Sequence, residues 1–234
     1  MEKNLGNERK FVGHSCMLDL AVHYLNLYGT PDPDYPLGHI HSIYFDSPDC
    51  RAYEEKANGD NLKQKIRIRW YSRADGSVEP CLPVFIEIKS RVGAARRKRR
   101  RSVVVDGEWM TKTALDHPSL CTFLHRQAAA MEEAVPLHWI PSLCISYERW
   151  RFVCAWTGTR LAVDHAIRAD RVNTSLFPFC LPIRLSRTIC EFKNESGEPP
   201  LWTEPLFQSG FRMRSFSKYG ECINQMQGGS FPYE

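Results

Sequence analysis

Three cations alternate with two isoleucines in the segment LKQKIRIRWY. Lys65, Arg67 and Arg69 stand two residues apart, with Ile66 and Ile68 between them. Successive residues of a strand point to opposite faces, so a strand here would be cationic on one face and apolar on the other. Either the cations point into water, as on most half-exposed strands, or they line an enclosed site for an anion such as a phosphate group.

The same two-residue spacing of charged residues recurs along the chain. The further pairs are Glu8 and Lys10, Glu87 and Lys89, Lys98 and Arg100, Arg149 and Arg151, and Glu191 and Lys193, while Arg160 and Asp164 share one predicted strand face. A solvated outer face explains one such strand well. Across seven strands it also predicts Ser, Thr and Gln outside, whereas these residues are mostly Arg, Lys and Glu. We therefore favour charges that face an enclosed anionic ligand.

An enclosed cationic site has a chemical consequence. Arg and Lys side chains that face a lumen repel each other unless the lumen holds a polyanion. A few Glu and Asp among them would suit Mg²⁺ or Mn²⁺, because these metals prefer oxygen ligands. Cations and a metal carboxylate around a phosphate chain are the arrangement that phosphoryl transfer needs. The pattern thus predicts a closed barrel with a charged lumen and an apolar exterior covered by helices.

The elements that must position these residues are mostly strands. We predict strands over residues 8–13, 40–47, 65–71, 84–91, 97–106, 143–153, 159–169 and 188–194. We predict helices over residues 15–28 with Ser15 as the N-cap, over 50–59 ended by Gly59, and over 111–134 interrupted by HPS, with a tail over 211–226 that starts extended and finishes helical. This order predicts an α+β fold, an antiparallel β-barrel with helices packed outside, in a single domain over residues 1–234.

Size and composition set further limits. The chain has 234 residues, 43% of them hydrophobic, which suits one large domain or two small ones. Its net charge of +4 does not by itself require nucleic acid. No run approaches the roughly 20 apolar residues of a membrane span, and the N-terminus lacks the apolar stretch of a signal peptide. Nine cysteines without a CxxC motif indicate neither a disulfide framework nor a zinc knuckle, so we expect a reduced, cytoplasmic protein.

Eight short blocks occur in a fixed order between residues 8 and 220. They are ERKF, KIRIRWY, IEIKSR, RKRRR, SYERWRF, RLAVDHAIRA, CEFK and FSKYG. In this order they resemble the VTC domain (vacuolar transporter chaperone type), the polyphosphate-polymerase branch of the triphosphate tunnel metalloenzymes. The resemblance implies an antiparallel β-barrel that forms a tunnel. It also implies that ATP is bound there with Mn²⁺ or Mg²⁺ and passes its terminal phosphoryl group to a growing polyphosphate.

The resemblance implies roles for individual residues as well. The residues that would grip phosphates are Lys10, Lys65, Arg67, Arg69, Lys89, Arg149 and Lys218, joined by Lys98 and Arg100. Those expected to act on the transferred group are Arg67, Arg69, Lys89, Arg149 and Lys218. The metal site would contain Glu191 as the main ligand, with Glu8, Glu87 and Asp164. The residues expected to position their neighbours are Tyr147, Asp164, Ser217 and Tyr219, and of these Tyr147, Ser217 and Tyr219 would also belong to the phosphate site.

The chain departs from related tunnel enzymes at its first strand. Enzymes of the thiamine-triphosphatase type carry ExExK there, but Gly6 stands where the first Glu would be, which argues against a hydrolase-type metal site. Three functions remain open. They are transfer of phosphate from ATP to polyphosphate, hydrolysis of triphosphate or short polyphosphate, and binding of polyphosphate or a phosphorylated ligand without catalysis.

The run RRKRRR is a further basic feature of the chain. It could be a nucleic-acid patch or a solvated segment. As a strand it would point Lys98 and Arg100 inward and Arg97, Arg99 and Arg101 outward, where they would form a basic surface for an exiting polyphosphate. We expect ATP or another triphosphate and polyphosphate as ligands, no nucleic acid, and no membrane span in this chain. No protein partner can be named.

Overall fold

The computed structural model describes residues 7–73, 75–178, 181–196 and 201–228. Its strands are β1 Asn7–His14, β2 Thr30–Pro31, β3 Leu37–Asp46, β4 Leu62–Ser72, β5 Cys81–Val92, β6 Ala95–Asp106, β7 Ile140–Val153, β8 Arg160–Val172, β9 Ile183–Arg184, β10 Arg187–Asn194 and β11 Arg212–Met213. Its α-helices are α1 Leu18–Tyr28, α2 Arg51–Ala57, α3 Gly107–Lys112, α4 Pro118–Ala129, α5 Glu204–Gln208 and α6 Lys218–Met226. Short 3-10 turns lie at Ser15–Met17 and Leu201–Thr203.

The strands form a mostly antiparallel sheet. The hydrogen-bonded order is β11-β1-β10-β8-β7-β3-β4-β5-β6, with β2 beside β7 and β9 beside β8. This confirms the expected α+β class with antiparallel pairing. Across the described residues the order has two ends, β6 and β11, so the predicted closure into a barrel is wrong for this sheet. The end strand β11 has two residues, too few N–H and C=O groups to continue a ladder with a long strand.

The chain divides into two compact units. Unit 1 takes its described residues from Met1–His39, Tyr147–Ile167 and Arg184–Ser217, and unit 2 takes them from Ile40–Ser146, Arg168–Ile183 and Lys218–Glu234. Strands β3, β7, β8 and β9 each contribute residues to both units. The expectation of a single domain stays a prediction.

The core of unit 2 covers one face of β4 and β5. Strand alternation puts Ile66 and Ile68 of β4 beside Ile88 and Ile86 of β5, and each is at most 1% exposed. They belong to one apolar cluster with α4 side chains such as Leu120. Burying an isoleucine side chain contributes about 1.5–3 kcal/mol. This apolar face therefore fixes the side to which the charges between the isoleucines point.

The core of unit 1 is built from the same alternation. Phe11 of β1 and Phe192 of β10 meet edge to face with ring centroids 5.2 Å apart, and Leu161 of β8 and Leu25 of α1 join their cluster. All four side chains are at most 2% exposed. The residues on either side of Phe11 and Phe192 in β1 and β10 consequently face away from this core.

Ser15 is not the N-cap of helix α1. It begins the 3-10 turn Ser15–Met17, whose N-cap is His14, and α1 begins only at Leu18. The Nδ1 atom of His14 accepts a hydrogen bond from the backbone N–H of Cys16 at 3.4 Å. An imidazole nitrogen thus serves the first turn in place of the expected hydroxyl.

The second helical region consists of two helices and begins before residue 111. Helix α3 starts at Gly107 because the Asp106 side chain accepts a hydrogen bond from the backbone N–H of Trp109 at 2.6 Å. The predicted interruption at HPS is confirmed, since Pro118 opens α4, where its fixed φ suits the first turn. The eight cysteines among the described residues are free thiols, and Cys180 and Gly6 lie outside those residues.

Candidate anion-binding site

The charged residues of β4, β5 and β6 share one face in unit 2. Directly paired residues in an antiparallel ladder project to the same side. The register places them in three rows: Lys63, Arg91 and Arg96; Lys65, Lys89 and Lys98; and Arg67, Glu87 and Arg100. We call these nine residues the cationic face. It carries eight cations and one carboxylate, and its rows cross strands that lie roughly 4.7–4.9 Å apart.

In the row of Arg67, Glu87 and Arg100 the side chains on β4 and β5 are largely buried, and the one on β6 is the most exposed. The side chain of Arg67 is 14% exposed, that of Glu87 is 5% exposed and that of Arg100 is 43% exposed. Arg69, two residues beyond Arg67 on β4, is buried, and its Nε donates to the Ser42 hydroxyl at 3.2 Å. The cations of LKQKIRIRWY therefore lie opposite the apolar core, and those nearest Ser42 are largely withdrawn from water.

Glu87 is the carboxylate of the cationic face. Its Oε2 lies 2.5 Å from Arg67 Nη2 and accepts a hydrogen bond from Arg67 Nε at 2.7 Å, while its Oε1 lies 3.6 Å from Arg100 Nε. Burial raises the pKa of Glu87, but the nearby Arg67 and Arg69 guanidinium groups outweigh burial and lower the pKa from 4.5 to about 2. Glu87 is thus ionised at neutral pH and holds Arg67 in place.

Arg97, Arg99 and Arg101 project to the other face of β6. Arg97 Nη2 and Arg99 Nε lie 2.8 Å and 3.1 Å from Glu133 Oε1. Arg101 Nε donates to the Gln127 side chain of α4 at 3.1 Å. The predicted division of the RRKRRR run between two faces is confirmed, but its outward arginines contact the end of a helix and the turn after it. They are not a bare basic surface.

Unit 1 holds a second charged group, which we call the charge-alternating chain. In order of contact its members are Lys10, Glu8, Lys193, Glu191, Arg149 and Asp164. Each neighbour along this chain has the opposite charge. The cause is the register of β1 and β10, which pairs Lys10 with Glu191 and Glu8 with Lys193 on the face away from Phe11.

Lysines hold one end of the charge-alternating chain. Lys10 Nζ lies 3.0 Å from Glu8 Oε1 and donates to the Phe216 carbonyl at 3.3 Å. Lys193 Nζ lies 3.2 Å from Glu8 Oε2 and 2.7 Å from Glu191 Oε1. Burial lowers the pKa of Lys193, but Glu191 and Glu8 outweigh it and raise that pKa. Lys193 is therefore a cation that bridges two carboxylates.

A buried ion pair holds the other end. Asp164 is 0% exposed, and its Oδ1 and Oδ2 accept from Arg149 Nε at 2.5 Å and Nη2 at 2.7 Å. Arg149 Nη2 also donates to Glu191 Oε2 at 2.9 Å. Burial lowers the pKa of Arg149, but Asp164 and its other partners raise it well above its ordinary value. A bidentate carboxylate fixes the plane of this guanidinium.

The four predicted metal ligands do not gather into one site. Glu8, Asp164 and Glu191 belong to unit 1, and Glu87 belongs to the cationic face of unit 2. In the part of the chain that is described, no three His, Cys, Asp or Glu side chains could together hold a metal ion. Their carboxylate oxygens face lysine and arginine, with Lys193 between Glu8 and Glu191. In this arrangement the donors do not fit Mn²⁺ or Mg²⁺, so a metal role requires rearrangement and stays a prediction.

The remaining predicted residues have different surroundings. The Tyr147 ring lies 5.5 Å from the Arg149 guanidinium carbon. Ser217 and Lys218 are half-buried, and Lys218 is the first residue of α6. Tyr219 is buried, and its hydroxyl donates to Asp46 Oδ2 at 2.7 Å. This contact favours the positioning role predicted for Tyr219 over direct contact with phosphate.

Lys193 of the charge-alternating chain and Tyr44, which contacts the cationic face, had no role in the sequence-based prediction. Lys193 follows Glu191 at the same two-residue spacing as the other pairs, and that spacing was the available signal. Tyr44 lies on β3, two residues from Ser42, and its hydroxyl accepts a hydrogen bond from Arg67 Nη1 at 3.2 Å. An aromatic residue inside an apolar strand segment is typical of a core position, so the sequence carried no signal for this contact.

The comparisons with known proteins identify the family. A family model described as the VTC domain matches residues 7–227, so the chain belongs to the VTC domain family. Membership supports a function related to phosphoryl groups and the use of a divalent metal in general. No curated protein matches the chain.

Solved structures that are similar to the chain include the following one. It is described as a candidate adenylate cyclase from Bacillus halodurans, is 11% identical, and matches with a TM-score of 0.48 over 100% of this chain and 96% of its own. This likeness is too distant to transfer an activity. Among the helices of the described residues, none has the length and apolar character needed to cross a membrane.

Proposed function

We propose that the chain binds phosphate chains on the cationic face and transfers the terminal phosphoryl group of ATP to a growing inorganic polyphosphate. The observation that carries the proposal is the charge of that face, eight cations with one carboxylate. Like charges paired across strands destabilise a sheet unless an anion offsets them. A phosphate chain carries negative charge along its whole length and can neutralise more than one row.

The proposed reaction needs no nucleophile from the protein. An oxygen of the terminal phosphate of polyphosphate attacks the γ-phosphorus of ATP. A new P–O bond forms while the bond to the β–γ bridging oxygen breaks, and ADP leaves. Arg67, Arg69 and Lys89 would offset the charge that spreads over the transferred group and would hold donor and acceptor in line. Lys218, the first residue of α6 in the same unit, is proposed to contact phosphate as well, while the phosphate role of Arg149 stays a prediction.

Arg67 and Arg69 are suited to this task by their surroundings. Glu87 and the Tyr44 hydroxyl hold the Arg67 guanidinium, and the Ser42 hydroxyl accepts from Arg69. Groups that are already oriented lose less conformational entropy on binding. Partial burial also strengthens their attraction to phosphate, because the local dielectric constant is lower than that of water.

The test is incubation of the purified protein with ATP and Mn²⁺, with acid-insoluble polyphosphate and free phosphate followed in parallel. Long polymer is expected, and it should be lost in Arg67→Gln and Lys89→Ala. The matched control is Arg99→Gln, which removes a charge from the opposite face of the same sheet and should retain activity. Free phosphate without polymer would instead identify a hydrolase.

The second candidate is a binding module without catalysis. It is favoured by one observation: the four carboxylates predicted to hold metal are paired with the protein's own cations. Such a module would bind tripolyphosphate in EDTA, with an affinity that falls as salt screens the charges. Metal-independent binding together with neither polymer nor free phosphate would favour this candidate over the polymerase.

A further inference from the structure

Tyr44 lies against the cationic face from the neighbouring strand β3. Alternation puts Tyr44 on the side opposite Ile43 and Phe45, which belong to the core of unit 2. Its side chain is 3% exposed. Its hydroxyl accepts from Arg67 Nη1 at 3.2 Å, and its ring centre lies 4.9 Å from Lys65 Nζ. One residue thus contacts the cations of two rows.

Helix α6 also contacts the Tyr44 ring, through Tyr219. Tyr219 stacks on it with ring centroids 5.1 Å apart and an angle of 28°. The Tyr219 hydroxyl donates to Asp46 Oδ2 at 2.7 Å and lies 3.1 Å from Ser142 Oγ. Asp46 also accepts backbone N–H groups at the start of α2, including that of Ala52 at 2.7 Å. Tyr44 therefore packs against the Tyr219 ring and contacts two cations of β4.

Packing alone does not require the Tyr44 hydroxyl. A phenylalanine would fill the same volume against Tyr219, whereas a buried hydroxyl costs free energy unless it is hydrogen-bonded. The Tyr44 hydroxyl oxygen contacts Arg67, and the Tyr44 ring contacts Lys65. The two parts of the side chain therefore contact different rows of the cationic face. We propose that Tyr44 is a positioning residue of the phosphate site, whose hydroxyl orients Arg67 and whose ring holds Lys65. This inference rests on the proposed phosphate binding.

The charges around Tyr44 should make the affinity for phosphate depend on pH. Lys65, Arg67 and Arg69 face it from β4, Glu87 acts from β5 through Arg67, Tyr219 packs from α6, and Asp46 lies on its own strand. Burial raises the pKa of Tyr44, but the three cations of β4 outweigh it and lower the pKa to about 7. Above that pH the empty site contains a phenolate that competes with phosphate for the same cations.

Binding of an anion must then return the proton to Tyr44. A phosphate chain beside the phenol disfavours the phenolate and raises the pKa of Tyr44 in the complex. By linkage, binding takes up a proton near and above pH 7, and affinity falls as the pH rises. Removal of the Tyr44 hydroxyl abolishes this part of the pH dependence of affinity. Loss of a packing contact alone would instead shift the affinity equally at every pH.

The experiment is calorimetric titration with tripolyphosphate in EDTA from pH 6 to 9, in two buffers of different ionisation enthalpy. At pH 6, Tyr44→Phe should weaken binding about three- to tenfold, because Arg67 loses its hydroxyl partner. At pH 9 it should bind as tightly as the wild type or more tightly, without proton uptake. The control is Tyr71→Phe. Tyr71 lies on the same face of β4 as Lys65 and Arg67 but is 38% exposed, so the affinity of this variant should follow that of the wild type at every pH.

The outcomes separate this inference from the proposed function. If Tyr44→Phe and the wild type have parallel pH profiles while Arg67→Gln weakens binding, the Tyr44 role is wrong and phosphate binding stands. If Arg67→Gln also has no effect, the proposed phosphate site is wrong. Tyr44→Leu, which also removes the ring, should lose the Lys65 contact and bind more weakly than Tyr44→Phe at both pH values. Equal affinities in the two variants would overturn the role of the ring.

Discussion

The cationic face of unit 2 and the charge-alternating chain of unit 1 arise from the same spacing of charges but differ in balance. The cationic face pairs like charges across strands, as in the row of Lys65, Lys89 and Lys98. The charge-alternating chain pairs opposite charges, such as Lys10 with Glu191. Like charges opposite each other destabilise a sheet, and opposite charges stabilise it. The first region therefore gains from a bound anion, and the second is already neutralised.

The two regions consequently suit different tasks. Eight cations with one carboxylate can attract a polyanion without further help. Three cations with three carboxylates form a rigid network that holds Arg149 in one orientation. We expect substitutions in the cationic face to change ligand affinity most, and substitutions in the charge-alternating chain to change stability most.

The largest expected effect is the loss of stability in Asp164→Asn. Asp164 is fully buried and holds Arg149 through two nitrogens. Removing one partner of a buried ion pair costs about 3–5 kcal/mol, because the other charge stays buried. Urea unfolding measures the change. The control is Asp170→Asn on the same strand, where Arg168 and Asp170 are 48% and 46% exposed and the pair contributes about 0–1 kcal/mol. Similar losses in both would contradict the rigid network.

The next effect is the acid sensitivity that Glu87 gives to the cationic face. Its pKa is lowered in the folded state from 4.5 to about 2. The stabilisation of the folded state by ionised Glu87 is therefore complete above pH 4.5 and is lost as the pH falls through about 2. At 1.36 kcal/mol per pKa unit this is about 3 kcal/mol. Unfolding free energies measured from pH 6 to 2 should fall less steeply in Glu87→Gln, while the exposed Glu108→Gln should follow the wild type.

Much of this difference between regions could be predicted from the sequence, and part could not. Alternation in LKQKIRIRWY correctly separated an apolar face from a cationic one. When the isoleucines are buried in the core, the cations between them must project from the opposite face of the strand. The row of Lys89 and Lys98 was not predicted, although Gly93, at φ +58°, lies in the two-residue turn between β5 and β6 that sets their register. Such local pairings follow from turn length.

The pairings that could not be predicted are distant along the chain. Glu8 meets Lys193 across more than 180 residues, and no local pattern records that pairing. Strands of two residues, such as β11, are too short to show alternation, so the open end of the sheet was missed. Tyr44 was missed because its hydroxyl contact depends on how β3 lies beside β4, not on its own neighbours in sequence.

A smaller effect compares one lysine from each region. Lys65→Ala should weaken tripolyphosphate binding in EDTA about tenfold, because it removes a charge-assisted contact from the cationic face. Lys10→Ala should change that affinity less than twofold, since Lys10 is paired with Glu8 in the charge-alternating chain. Titration calorimetry at low salt measures both. An equal loss in Lys10→Ala would mean that the charge-alternating chain also binds the anion, and the comparison would fail.

The smallest effect separates two adjacent arginines of β6. Arg100 lies on the cationic face and contacts Glu87 and the Phe85 ring, whereas Arg99 lies on the opposite face and contacts Glu133. Both side chains are about half exposed, 43% for Arg100 and 50% for Arg99, so solvent screens them to a similar degree. Arg100→Gln should weaken tripolyphosphate binding about threefold, and Arg99→Gln less than twofold, because Coulomb attraction falls with distance. Both variants lose one positive charge from the same strand, so a difference between their affinities measures the effect of the face on which the arginine lies. Equal losses would mean that the ligand is attracted by net charge and not by the arrangement of the cationic face.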